Sequence, residues 1–227
     1  MIGANGAERI VVVSPHLDDG VLSVGASIAS WSRVGVTVEL LTVLACDPDS
    51  TAPAGGWDRR GGFATEGESA RARRDEDRRA CSVLGVTPVW LPYGSVDYDR
   101  HGDDDDVCRA VADAVDGADA VVLPGHPLSH PDHAWLAAVL EGRLGASRIG
   151  RYAEQPYAVR AGDDLPSTFE HARTSVLDRR AKWRAIRCYR SQLPLLGMRG
   201  SLRRGPLRHA FTAEWVSWSP NYPSTPA

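Results

Sequence analysis

Two short segments hold side chains able to bind a metal and move a proton. The first, Ser14-Pro15-His16-Leu17-Asp18-Asp19-Gly20, offers one imidazole and two adjacent carboxylates, so that one carboxylate can ligate while the other accepts a proton. The second, Gly125-His126-Pro127-Leu128-Ser129-His130-Pro131-Asp132-His133, adds three imidazoles and another carboxylate. Two histidines and a carboxylate with coordination positions left open form the ligand set of a catalytic zinc, and the same trio suits non-haem iron. Each segment alone has an ordinary reading, since His-Pro in a loop is usually inert and aspartates commonly cap helices. What raises them to a candidate site is that both follow a strand and open a helix, at the edge of an α/β sheet where ligands bind.

The elements that must position them alternate along the chain. Ile10-Val11-Val12-Val13 is a β-branched run of the kind buried on both faces of a parallel sheet, and it stops at Pro15. Gly20 to Val34 has helical apolar spacing, and Val36 to Val43 returns to a strand. A stretch from Ala45 to Glu66, rich in Pro, Gly, Asp and Ser, is expected to be a loop at the rim of a pocket. Ser69 to Leu84 is helical and ends at Gly85, Thr87 to Leu91 is a third strand, and Asp103 to Val115 is a helix whose four leading acids suit the positive end of its dipole. Ala118 to Leu123 is the next buried strand, followed by a helix from about Asp132 to Leu144. Gly150 to Tyr152 and Tyr157 to Arg160 read as strands, Ser175 to Tyr189 as a helix, and Glu214 to Trp218 as a late edge strand; the tail from Pro220 is expected to be loose. The pattern predicts one α/β domain over 1–227, with a core of about 8–218 built as a doubly wound, mainly parallel sheet flanked by helices.

With 227 residues, a net charge of -3 and 43% hydrophobic residues, the chain has no basic excess to suggest a nucleic-acid or anionic-membrane partner. No apolar run approaches the roughly 20 residues needed to span a bilayer, and the start lacks the features of a secretion signal, so a cytoplasmic protein is expected. Cys46, Cys81, Cys108 and Cys188 are scattered without a CxxC pair, which signals neither a disulfide framework nor a thiolate zinc site. The G-x-G-x-x-G of dinucleotide binders is missing after the first strand, where Asp18 and Asp19 would repel a pyrophosphate.

Pro15-His16-Leu17-Asp18-Asp19 and His130-Pro131-Asp132-His133 resemble the two signatures of the PIG-L, or LmbE-like, family of zinc-dependent N-deacetylases. Further similarity lies in Arg73-Arg74-Asp75-Glu76 ahead of Leu84-Gly85, in Tyr152-Ala153-Glu154-Gln155-Pro156-Tyr157, and in Lys182 with Tyr189-Arg190-Ser191-Gln192, so that it spans about residues 8 to 192. The resemblance implies a Rossmann-like fold in which His16, Asp19 and His133 hold one zinc ion, or Fe2+ or another divalent metal in its place. It further implies that Asp18 is the general base, that His130 stabilises the oxyanion, and that Arg73 contacts the substrate, with Arg71 and Arg74 as competitors for that contact. Asp132 is expected either to hold His130 or to cap the following helix. Two positions depart from the family: Gly20 stands where many members have glutamate, and Leu128 where some have tyrosine.

The implied reaction is removal of an N-acyl group, acetyl above all, from an amino sugar or glycoconjugate by metal-activated water, with a protonated His130 at the oxyanion. Trp57, Trp90, Tyr93, Trp135 and Trp183 are candidates for a sugar platform. Rival readings are an amidase acting on a larger amino-sugar conjugate and a catalytically retired sugar-binding module, which would be expected to have lost Asp18 or a ligand. A soluble small-molecule or glycoconjugate partner is expected, and homo-oligomerisation is left open.

Overall fold

The computed structural model describes residues 6–98, 102–145, 148–158, 165–197 and 213–219. Seven strands form one sheet in the order β3-β2-β1-β4-β5-β7-β6. These are β1 (Arg9–Ser14), β2 (Thr37–Thr42), β3 (Thr87–Trp90), β4 (Ala120–His126), β5 (Ile149–Ala153), β6 (Glu170–His171) and β7 (Trp215–Trp218). The pairs β1–β2, β2–β3, β1–β4 and β4–β5 are parallel, whereas β7 runs antiparallel to both β5 and β6. The chain leaves β1 for β2 on one side and later returns to β4 on the other, which makes the carboxyl ends of β1 and β4 the switch point of the sheet.

The helices are α1 (Asp19–Arg33), α2 (Gly56–Arg60), α3 (Glu66–Leu84), α4 (Asp104–Val115), α5 (Pro131–Leu140) and α6 (Val176–Ile186). The apolar run of β1 explains why they cover both faces. Ile10 and Val12 point into one cluster with Leu22 and Ile28 of α1, Leu84 of α3 and Ile186 of α6. Val11 and Val13 point into the other, with Val111 of α4 and Leu136 of α5. All four β1 side chains are fully buried, each worth about 1.5–3 kcal/mol of transfer free energy.

Local sequence fixes the helix ends. Thr65 caps α3 through the Glu68 amide at 3.2 Å, and Gly85 ends it in the left-handed region at φ 73°. Asp103 accepts from the Asp106 amide at 2.7 Å, so the acidic run is a helix start. Helix α1 is broken at Val24, and the amides of Ala26 and Ser27 that open its second half donate to Glu214 at 2.7 and 2.8 Å. Lys182, the sole lysine, is fully buried and pairs with that same carboxylate at 2.8 Å. This carboxylate ties the strand near the C-terminus to the helix that opens on Asp18 and Asp19.

Several expectations are corrected. β7 is not an edge, because the two-residue β6 pairs along its outer side. Tyr157 and Ala158 are helical rather than extended; the rest of that expected strand, and the tail from Pro220, lie outside the described residues. The 45–66 loop contains α2, a helix too short to show a period. The four cysteines are unpaired, and no described helix is long and apolar enough to cross a membrane.

Candidate metal centre and catalytic pocket

Side chains from the ends of β1 and β4 meet at the switch point. Ser14 shapes the first turn: its hydroxyl donates to the His16 carbonyl at 2.7 Å and accepts from the Gly20 amide at 2.9 Å. Space is tight there, since a Cβ on Gly20 would lie 2.7 Å from Leu40 Cδ1, so Leu40 fills volume that a glutamate at position 20 would need. Asp18 holds φ 146°, a conformation that L-residues rarely adopt and that costs about 1–3 kcal/mol. It occupies the N-cap position of α1 yet makes no capping hydrogen bond, and its carboxylate lines the cavity instead.

His16 Nδ1, Asp19 Oδ2 and His133 Nε2 form a nearly equilateral triangle with sides of 3.1, 3.1 and 3.2 Å. The outward nitrogens are also engaged: His16 Nε2 meets Asp132 Oδ2 at 3.0 Å, and His133 Nδ1 meets Glu154 Oε1 at 2.6 Å. A carboxylate only accepts, so each outward nitrogen carries its hydrogen and each inward nitrogen is left with either a proton or a lone pair. Two inward nitrogens 3.2 Å apart cannot both point a proton at the other without repulsion. The donors suit a divalent cation, because metal–ligand bonds of about 2.1 Å in a tetrahedron give edges of about 3.4 Å.

Charge and burial pull the local pKa values apart. Burial opposes the charging of His133, but Asp19 and Glu154 outweigh it and raise the pKa to about 10. His16 is raised as well: burial opposes, while hydrogen bonds to Asp132 and Asp19 prevail. Asp19 lies well below the usual carboxylate range, because the two histidines more than offset its burial. Asp18 is pushed up to about 8, first by burial and then by the Asp19 charge, with Arg73 pulling the other way.

His130 sits differently. It is the N-cap of α5, and its Nδ1 accepts from the Asp132 amide at 3.2 Å, with Pro131 at the first helical position, where no N–H is needed. An accepting Nδ1 places the only proton on Nε2. Burial, together with the charges of His16 and His133, lowers its pKa to about 4. His130 is therefore a neutral Nε2–H donor, not the protonated ring expected from sequence. Its ring nitrogen does lie within 4.8 Å of donors on His16 and His133. Ligation through Nε2 would, however, turn an Nδ1 hydrogen onto the Asp132 amide.

The N-cap of α5 is His130, and Asp132 Oδ2 stands 3.9 Å from the His130 Nδ1. Asp132 holds His16 and accepts from the Val96 amide at 3.2 Å. The cavity beside these groups encloses about 460 Å³. His16, Asp18, Asp19, His130 and Arg73 line its polar side, and Trp57, Tyr98, Tyr157 and Leu196 its other walls. Of the five aromatic candidates for a platform only Trp57 lies there, its indole held by Gln192 Oε1 at 2.8 Å. Arg73 pairs with Asp58 at 3.3 Å and its buried Nε has no partner, whereas Arg71 and Arg74 are spent on the backbone carbonyls of Pro48, Ala45 and Cys46. Sequence reasoning assigned no role to Glu154; its signal is an acid at the carboxyl end of the strand next to β4.

A doubly wound α/β sheet with histidines and carboxylates converging at its switch point defines a class of α/β proteins whose site is compatible with metal binding. Within that class the chain belongs to the PIG-L family, described as GlcNAc-PI de-N-acetylase, whose sequence profile matches residues 11–141. No curated protein matches the sequence. Among solved structures, a triple mutant of a deacetylase from the teicoplanin biosynthetic pathway is 26% identical, with a TM-score of 0.72 over 94% of this chain and 100% of that one. An antimicrobial-pseudoaglycone deacetylase is 23% identical, with a TM-score of 0.74 over 96% and 99%. The 4-carboxy-2-hydroxymuconate hydratase of Pseudomonas putida shares the fold at 19% identity and a TM-score of 0.65 over 97% and 100%. The fold alone thus leaves the reaction open, and function rests on family and site.

Proposed function

We propose that the protein hydrolyses the N-acyl group, acetyl in the first instance, of an amino sugar carried on a glycoconjugate, using one divalent cation held by His16, Asp19 and His133. The observation that carries this reading is the convergence of those three donors at 3.1–3.2 Å beside a buried carboxylate, Asp18, that makes no capping hydrogen bond. Zinc fits two nitrogens and one carboxylate oxygen, and when bound such an ion makes water acidic enough to attack near neutral pH and polarises the acyl oxygen.

The chain's own residues do the rest. Asp18, buried and lining the cavity, takes the proton from the attacking water in its ionised form, which gains ground as the pH approaches its value of about 8 and as a bound cation would draw that value down. His130 Nε2–H donates to the oxygen of the acyl group as negative charge gathers there; one such donor is worth about 3 kcal/mol. A neutral His130 with a single proton cannot spare it for the leaving amine, so Asp18 returns the proton it took. Arg73, with donors left over after Asp58, holds the sugar, and Trp57 offers it an apolar face.

A sugar borne on a larger scaffold is supported by the relatives of the teicoplanin pathway and by the cavity, whose apolar wall includes Trp57, Tyr157 and Leu196. The test is acetate release by the zinc-loaded protein from N-acetylglucosamine and from N-acetylglucosaminides of aromatic aglycones. Release that stops on chelation supports the reading. Bound zinc with no acyl group released from any N-acyl amino sugar overturns it.

The raised pKa of His133 gives a second expectation. Its imidazole, at about 10, is protonated at pH 7 and must lose that proton to ligate. Zinc binding at pH 7 is therefore expected to release at least one proton, and affinity to fall about tenfold per pH unit for each proton displaced as the pH drops. Calorimetry in buffers of differing ionisation enthalpy measures this directly; a binding heat independent of buffer contradicts it.

A further inference from the structure

Glu154 is 1% exposed and stands at the end of β5, where its backbone amide extends the ladder to the His126 carbonyl at 2.6 Å. Its two carboxylate oxygens have separate tasks. Oε1 accepts from His133 Nδ1 at 2.6 Å, and Oε2 accepts from the Leu128 amide at 2.9 Å. Leu128 holds φ 55°, an unfavourable left-handed conformation for a branched side chain, and it lies in the loop that leads to His130. One buried carboxylate thus orients a ring of the trio and pins the loop that carries the oxyanion donor.

We infer that Glu154 is a positioning residue for the metal: it fixes His133 with its Nδ1 protonated and its Nε2 directed at the other two donors, and so sets the affinity of the trio. The inference rests on reading His16, Asp19 and His133 as the ligands. Hydrogen-bond chemistry makes it specific. Glutamine has one acceptor oxygen for two facing donors, so Glu154→Gln must leave either His133 Nδ1–H or the Leu128 amide against an NH2 group. Glu154→Asp keeps the charge but draws the oxygens back by about 1.5 Å, beyond the reach of a 2.6 Å contact.

The experiment is zinc affinity, by competition with a chromophoric chelator, for the parent, Glu154→Gln, Glu154→Asp and a control. Tyr152→Phe is the control: it lies on the same strand, fully buried, and donates to the Val13 carbonyl at 3.0 Å without touching the trio. Loss of an outer partner of a ligating histidine typically costs 10–100-fold in metal affinity. The expected result is a loss of about that size for both Glu154 variants and a change within about threefold for Tyr152→Phe, with a shifted visible spectrum when cobalt replaces zinc. The aspartate variant keeps the test decisive if the glutamine variant does not fold. Parental affinity in a folded Glu154 variant overturns the inference. Equal losses in Tyr152→Phe also overturn it, since the effect would then be general loosening. A parent that binds no zinc overturns the ligand reading itself, which is a distinguishable failure.

Discussion

Asp18→Asn is expected to lower kcat for deacylation by about 10²–10⁴, the range supplied by a positioned general base, while zinc stays bound. Asparagine keeps the shape and the unusual backbone but cannot accept a proton. The same substitution should leave the fold intact or strengthen it, because Asp18 is held in a place that resists its charge. Its pKa is raised from 3.8 to about 8, chiefly by burial and then by Asp19. With the folded value above the unfolded one, the folded state loses stability as pH rises from about 4 to about 8, and asparagine removes that loss. Thermal unfolding of the zinc-free proteins should therefore show the variant melting higher than the parent at pH 8 and the two converging near pH 4. Retention of more than a tenth of the parental kcat would remove Asp18 from the mechanism. A variant that melts lower at pH 8 would mean that its carboxylate stabilises the site.

That opposition between stability and task is also why the site was partly legible in the sequence. His16, Asp18, Asp19, His130 and His133 lie in two short segments directly after strands, and a strand that ends in a turn opening a helix fixes their placement locally. The buried run Ile10–Val13 made the first strand visible for the same reason, since a side chain covered on both faces has no polar alternate. Roles that depend on partners far along the chain were not legible. Glu154 meets His133 because β5 lies in parallel register beside β4, and Asp132 meets His16 across the switch point, 116 residues away. The proton on His130 is not legible in the sequence, because the amide that faces its Nδ1 belongs to the helix turn, not to a neighbouring charge. From sequence β7 reads as an edge, because its alternation shows one covered face and the two residues of β6 that cover its side are too few to leave a pattern.

His133→Ala should produce the other large effect, loss of both zinc and turnover together with a marked loss of stability. The ring is fully buried between Asp19 and Glu154, and removing one partner of a buried pair while the other stays typically costs about 3–5 kcal/mol. Glu154 then keeps only the Leu128 amide, and Asp19 keeps only the His16 side of its contacts within the trio. The two consequences can be separated by neutralising the stranded acid. In the double variant His133→Ala/Glu154→Gln no buried charge is left behind at that end, so the double variant should unfold at higher denaturant than the single one, by about 1–3 kcal/mol, although it still binds no zinc and releases no acetate. Such non-additivity is expected of residues in direct contact. If the double variant is as unstable as His133→Ala, the destabilisation comes from the empty volume of the lost ring, and the buried His133–Glu154 pair serves orientation alone. If instead His133→Ala still binds zinc at parental affinity, the ligand trio is wrong, and His16 and Asp19 must find their third donor elsewhere.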